Sequence, residues 1–390
     1  MMALVRQRYE VAHFPGHGAH TFYLWRVLAR ILGSGSGAME EAMELLSREA
    51  RELSLGSQVE RVAAPVSPLR FLRDFVMPGK PCIVTGGIQH WSALRKWSND
   101  YLRAALGDQQ VSVHFTPDGR ADSIVDVRGM EMLPDADGGG DGDLDPIDGD
   151  QETLMFVSAH VQSMPFAQAL EAVLGKRSSS NVAYLQQQND CLRTEYSRLI
   201  DDVEADIPWA TQALGSLPEA VNLWIGNENS VTSFHKDHYE NLYAVVAGEK
   251  HFTLLPPVDV HRLYIRDYPA ASYVPSPAQQ EDERKLVMRS DRPRRMVPWA
   301  SVDPECRHQD KHKFPRYFSS GGGEPFHCTV GAGEILYLPS MWFHHVTQRP
   351  DSGGRTIAIN FWYDMAFDIR YAYFNFLESC VNKKKNTTIE

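Results

Sequence analysis

The chain has 390 residues, 43% of them hydrophobic and 23% charged, the make-up of a folded globular protein rather than a disordered or fibrous one. No run approaches the roughly 18 apolar residues of a membrane span, so no transmembrane segment is expected. With 39 Lys+Arg against 50 Asp+Glu the net charge is −11, a sign that argues against a protein whose work is neutralising nucleic-acid phosphates.

Residues 1–38 carry Arg6, Arg8, Arg26 and Arg30 around a short apolar stretch that the arginines interrupt, a poor secretory signal. We read this segment as a disordered extension, with organelle targeting left open. Met39 to Leu55 has strong helix formers with apolar residues at three-and-four spacing, which predicts an amphipathic helix ending near Gly56; residues 39–64 are that helix and a linker. From Pro65 short helices alternate with the strands Pro81–Thr85 and Val111–Phe115.

Residues 134–152 are rich in Gly and Asp and hold a large part of the negative charge, so they read as a solvated acidic loop. Asp141, Asp143, Asp145 and Glu152 resemble the oxygen pattern of a calcium loop. Pro146 stands where such a loop needs glycine, and we set calcium aside. From Asn181 strands dominate: Val182–Gln186, Ala220–Ile225, Asn241–Ala247, Lys250–Leu255, Glu334–Leu338, Trp342–Val346 and Thr356–Tyr363. Many short strands with Gly and Pro turns predict a mainly β fold with flanking helices, a double-sheet jelly roll or barrel. A polar run over about 275–323 reads as an insertion without a core, and 366–390 as a C-terminal helix with a basic tail. The five cysteines, Cys82, Cys191, Cys306, Cys328 and Cys380, have no metal or disulfide spacing and point to a reducing compartment, the cytoplasm with the nucleus also open.

The chemistry concentrates in Val231–Tyr243. In an extended strand His235 and Asp237 share a face, which gives one imidazole and one carboxylate to a single metal. A second histidine would complete a facial triad with open positions, the arrangement of non-haem Fe(II) sites. A strand folding back beside the first offers His344 or His345, of opposite parity. His238 falls on the other face, and the His308/Asp310 pair sits in a polar run with no strand to hold it. Gly248 signals a two-residue turn, which predicts that the strand beginning at Lys250 pairs with the one leaving the His-x-Asp motif. Lys250, with Phe252 and Leu254 on its own face, would be costly to bury without an anion. Asn360, in an otherwise apolar strand, needs hydrogen-bond partners.

Thr232, His235-Lys-Asp237, Asn241, Lys250, Leu338-Pro-x-x-Trp-Phe-His344-His-Val and Asn360-Phe-Trp together resemble the jumonji-C (JmjC) family of Fe(II)- and 2-oxoglutarate-dependent oxygenases, over about Pro65 to Tyr373. The resemblance implies a double-stranded β-helix over residues 65–365. It also implies Fe(II) on His235, Asp237 and His344, and 2-oxoglutarate held by Tyr184, Thr232, Asn241, Lys250 and Asn360, with dioxygen as the other reactant. Within the family it is closest to lysyl hydroxylases. That implies C3-hydroxylation of a lysine in a protein partner such as a translation-associated GTPase, and a homodimer through the C-terminal helix. Methyl-lysine demethylation, histone-tail cleavage and a non-catalytic binding module are the other outcomes such a chain allows. A lysyl ammonium entering the cleft needs acidic or aromatic company, for which Glu240 and Tyr239 beside the His-x-Asp motif and the acidic loop over 134–152 are the candidates.

Overall fold

The computed structural model describes residues 36–133, 153–176, 181–277, 285–305, 311–318 and 323–382. The extension before Ser36, the acidic loop, Cys306 and the His308/Asp310 pair lie outside the described residues. The N-terminal helix Ser36–Ala50 continues in a wider turn to Leu55 and stops at Gly56, whose φ of 71° suits glycine.

Strands β1 (Glu60–Ala63), β2 (Cys82–Thr85), β3 (Gln110–Thr116), β4 (Arg120–Ala121), β5 (Ser123–Asp126), β6 (Leu154–Ser158), β7 (His160–Pro165) and β8 (Val182–Tyr184) come first. The central barrel then begins with β9 (Ala220–Gly226), β10 (Val231–His235), β11 (Tyr239–Ala247) and β12 (Glu249–Leu255). After β13 (Arg266–Pro275), β14 (Leu286–Ser290) and β15 (Met296–Trp299) it is completed by β16 (Phe326–Gly331), β17 (Ile335–Leu338), β18 (Phe343–Arg349) and β19 (Thr356–Asp364). One sheet has the order β1-β2-β17-β11-β19-β9 and the facing sheet the order β16-β12-β18-β10-β4. Four strands of each, with the chain crossing repeatedly between sheets, make a double-stranded β-helix, the jelly roll expected from the strand pattern.

Period-two alternation divides the first sheet between two cores. On β11, Leu242, Ala244 and Val246 face a layer of helices and share one cluster with Ile357, Ile359 and Phe361 of β19. Tyr243 and Val245 face inward, with Phe252 and Leu254 of β12 and Val346 of β18. Because both faces are covered, β11 and β19 read as almost continuous apolar runs. The inward face carries Asn241 on the parity of Tyr243, and Asn360 lies directly opposite Tyr243.

Two expectations need correction. Gly248, at φ 71°, does turn the chain, but β11 pairs with β17 and β19 while β12 pairs with β16 and β18. The turn therefore carries the chain from one sheet to the other and closes no hairpin. A Cβ at Gly248 would lie 2.7 Å from the Arg349 carbonyl oxygen, so the close approach of the sheets at this corner needs glycine. The segment read as a core-less insertion does interrupt the barrel between β12 and β16. It nevertheless contributes β14 and β15, which pair with β13 and bury Leu286, Val287 and Met288. Its polar residues hid a short alternating run.

Candidate active site

β10 and β18 run antiparallel, with Thr232 opposite Val346 and His235 opposite His344. Ser233 and Phe234 on one strand thus lie opposite the single residue His345 on the other, a bulge. Without it Thr232 and His235 would point to opposite faces. With it both line the inner cleft, and Phe234 turns outward into a separate apolar cluster. Asp237 lies just past the end of β10, so strand alternation alone does not orient it.

The ligating atoms of His235, Asp237 and His344 all lie within 4.8 Å of one another. Asp237 Oδ2 is 3.9 Å from His235 Nε2 and 3.7 Å from His344 Nε2. His235 Nδ1 meets the Ser233 carbonyl at 2.9 Å, and His344 Nδ1 meets the Trp342 carbonyl at 3.1 Å. A carbonyl only accepts, so each Nδ1 carries the hydrogen and each Nε2 presents a lone pair to the centre. Burial holds the His344 imidazole well below its ordinary pKa and therefore neutral. The Asp237 carboxyl is pushed up by burial, with His235 and His238 opposing. Two imidazole Nε2 atoms and one carboxylate, converging on a common point, suit a divalent transition metal with positions left open.

A buried cation lies behind the cleft. Lys250 is 1% exposed, and its ammonium donates to the Tyr184 hydroxyl at 2.8 Å. Tyr184 in turn shares hydrogen bonds with Thr232 and Tyr243. The Lys250 nitrogen lies 5.2 Å from the Tyr184 ring centroid and 5.9 Å from that of Tyr243. Burial brings its pKa down to about 7. Of its three donors one is used, on a neutral partner, so the site suits a carboxylate. Asn360 Oδ1 accepts from Trp224 Nε1 at 2.9 Å, and the buried Asn241 Oδ1 has no partner. Thr232, Asn241 and Asn360 thus line one cleft with His235, Asp237 and His344, and Lys250 is joined to it through the Tyr184 hydroxyl, which bonds in turn to Thr232.

Other residues singled out in the sequence lie elsewhere. His345, 3% exposed, faces the opposite side of β18, with Nε2 4.0 Å from Asp303 Oδ1. Asp303, Glu305 and His345 form a second ligand-like cluster among the described residues. Both of its carboxylates already receive the Arg120 guanidinium, at 2.7 and 2.5 Å. His238 is exposed beside Tyr371. Glu240 is not available to a substrate cation: at 4% exposure it accepts from the Tyr337 hydroxyl and from the Ser340 amide and hydroxyl.

Sequence reasoning missed several groups in or beside the cleft. Tyr243 shares the inward parity of Asn241, and strand alternation alone would have found it. Trp299, on β15 of the insertion, lies parallel to the His235 ring at 6.4 Å and donates from Nε1 to Ser233 Oγ at 3.1 Å. No local pattern announces that contact. Trp362 lines the cleft and stacks on Tyr239 at 4.8 Å.

A family model for a cupin-like domain matches residues 68–369. The chain is 52% identical over 353 residues to the lysine-specific demethylase JMJ32 of Arabidopsis thaliana, covering 89% of this chain and 94% of that protein. It is 40% identical over 330 residues to the bifunctional peptidase and (3S)-lysyl hydroxylase JMJD7 of Homo sapiens, covering 85% of this chain and 92% of that protein. JmjC domain-containing protein E of Dictyostelium discoideum is 35% identical over 349 residues, covering 87% and 93%.

Proposed function

The chain belongs to the cupin-like JmjC family of 2-oxoglutarate-dependent oxygenases, and from that premise we propose that it hydroxylates a lysyl residue of a protein substrate. In this reading His235, Asp237 and His344 hold Fe(II). Lys250 neutralises the far carboxylate of 2-oxoglutarate, Tyr184 and Thr232 bond to it, and Asn241 and Asn360 line its flank. When bound, the iron with 2-oxoglutarate and dioxygen supplies the oxidation of an unactivated C–H bond. The protein's own residues keep the two imidazoles in the Nε2-facing tautomer, exclude water with the Trp224, Tyr243 and Phe252 rings, and keep the lysine charge dry until an anion enters.

The observation that supports the reading most is Lys250, a buried ammonium with unused donors beside a ligand triad. A peptidase needs a metal-activated water but no buried anion site, and a binding module needs neither. The lysyl target draws support from the human relative's name, and the position C3 and a translation-associated GTPase from the resemblance in sequence. Demethylation of a methyl-lysine is the second reading, favoured by the name of the Arabidopsis relative. It presents a different C–H bond to the same centre.

The test is a panel of lysine and methyl-lysine peptides with the iron-loaded protein, scored by mass with and without 2-oxoglutarate. Gain of one oxygen on unmodified lysine is expected. Loss of a methyl group alone selects the second reading. The proposal also keeps the protein in the cytoplasm, with the nucleus and organelle targeting by residues 1–38 left open. It includes a dimer contact through the C-terminal helix (Ile369–Asn382), on which Ile369 and Phe376 are exposed, and light scattering of an Ile369→Glu variant checks that contact.

A further inference from the structure

Asp237 is the one ligand of the triad outside a strand, since β10 ends at His235 and β11 begins at Tyr239. Its carbonyl accepts a hydrogen bond from the Met341 amide at 2.9 Å, which ties the backbone but leaves the carboxylate direction to be set by the neighbours. Those neighbours turn away from the metal centre, toward the C-terminal helix. Lys236 forms an ion pair with Glu378 of that helix, and its nitrogen also lies 5.5 Å from the Phe343 ring centroid. His238 lies against Tyr371, ring centroids 6.1 Å apart, and Phe374 and Glu378 follow Tyr371 at i+3 and i+7 on the same helix. Phe234 and Phe343, the residues directly before His235 and His344, belong to an apolar cluster that includes Leu377, with Phe374 and Val381 packed on it. Each of the three ligands therefore has a chain neighbour held at this helix.

We propose that the C-terminal helix positions the metal triad, with the Lys236–Glu378 ion pair as the contact that fixes Asp237 within reach of His235 and His344. The proposal rests on the reading of those three residues as metal ligands. Lys236 and Glu378 are positioning residues that touch neither metal nor substrate. Their side chains are 18% and 23% exposed, so the pair is partly desolvated and less screened than a surface pair. Breaking it leaves the barrel ladders intact and frees the one ligand that no ladder holds. Loss of such outer partners typically lowers metal affinity about 10- to 100-fold.

The experiment titrates Co(II) alone into the full chain and follows its visible absorption, with the thermal transition of the metal-free protein as the control for folding. Lys236→Met and Glu378→Gln should each weaken Co(II) binding at least about tenfold while the metal-free transition stays near that of the unaltered protein. Lys236→Arg and Glu378→Asp, which keep the charges, should retain most of the affinity. Unchanged Co(II) affinity in the charge-removing variants overturns the proposal. So does an equal loss in the charge-keeping pair, or a loss matched by a lowered thermal transition, since either describes general packing. His235→Ala serves as the reference: if it binds Co(II) as well as the unaltered protein, the triad assignment falls and the proposal with it. Absent lysine hydroxylation with intact Co(II) binding overturns the lysyl reading alone.

Discussion

His235 and His344 stand directly opposite each other on antiparallel strands, their ring centroids 4.0 Å apart, and each is tied through Nδ1 to the carbonyl of the residue two positions before it in the chain. His345, the next residue along, faces away. His344→Ala should therefore weaken metal binding by more than about a hundredfold, beyond the usual cost of losing an outer-shell partner. His345→Ala should leave it within a few-fold. Equilibrium dialysis of Fe(II) or Co(II) checks both, and the reverse ranking would mean that the metal sits on the other side of β18.

Lys250→Met removes the charge behind the cleft without touching a metal ligand. Charge-assisted hydrogen bonds contribute about 1.5–3 kcal/mol, so the 2-oxoglutarate dissociation constant should rise roughly 10- to 100-fold with metal affinity unchanged. Calorimetric titration of metal-loaded protein measures it. An unaltered constant would place the anion site elsewhere.

The same lysine predicts a pH dependence. Its pKa without an anion is held down to about 7 by burial, and a bound carboxylate favours the charged form. Below pH 7 the lysine is already charged and co-substrate affinity should be flat. Above it, binding must take up a proton and affinity should fall by up to about tenfold per pH unit. Linkage gives the stability sign as well: between about pH 7 and 10.5 the unfolded chain binds the proton that the folded, anion-free chain lacks, so this group makes the fold more stable as pH rises. Titration near pH 8 in buffers of different ionisation enthalpy counts the proton. No uptake there would contradict the account.

Glu240 separates a structural role from a substrate role. Its carboxylate joins Tyr337 of β17 to Ser340 in the turn before β18. Glu240→Ala should lower stability by about 1–3 kcal/mol by orphaning those donors, and should leave the KM for a lysine peptide unchanged. Denaturant unfolding and steady-state kinetics together decide it. A raised KM at full stability would return Glu240 to the substrate.

The His-x-Asp motif and the barrel strands were legible because both are local. Alternation on β11 and β19 separates helix-facing from inward residues, and the spacing of His235 from Asp237 is visible in three positions. The crossing at Gly248 was not legible, because the same glycine turn serves a hairpin or a sheet-to-sheet corner, and pairing at long sequence separation decides between them. The bulge at Ser233 and Phe234 was hidden for the same reason, since only β18 reveals the extra residue. Trp299 reaches His235 through an insertion whose strands form by pairing with β13, and its role depends on tertiary contact alone. Glu240 misled because the sequence places it three residues from Asp237, while its partners come from about a hundred residues later.

The most direct test of the central claim is oxygen transfer itself. Iron-loaded protein, 2-oxoglutarate and isotopically labelled dioxygen are incubated with an unmodified lysine peptide and with its norleucine counterpart, and the products are sequenced by mass spectrometry. The account predicts one labelled oxygen on the lysine side chain, formed with 2-oxoglutarate consumption and lost in Asp237→Ala, and little on norleucine. Peptide cleavage without 2-oxoglutarate, or labelling that survives Asp237→Ala, would contradict it.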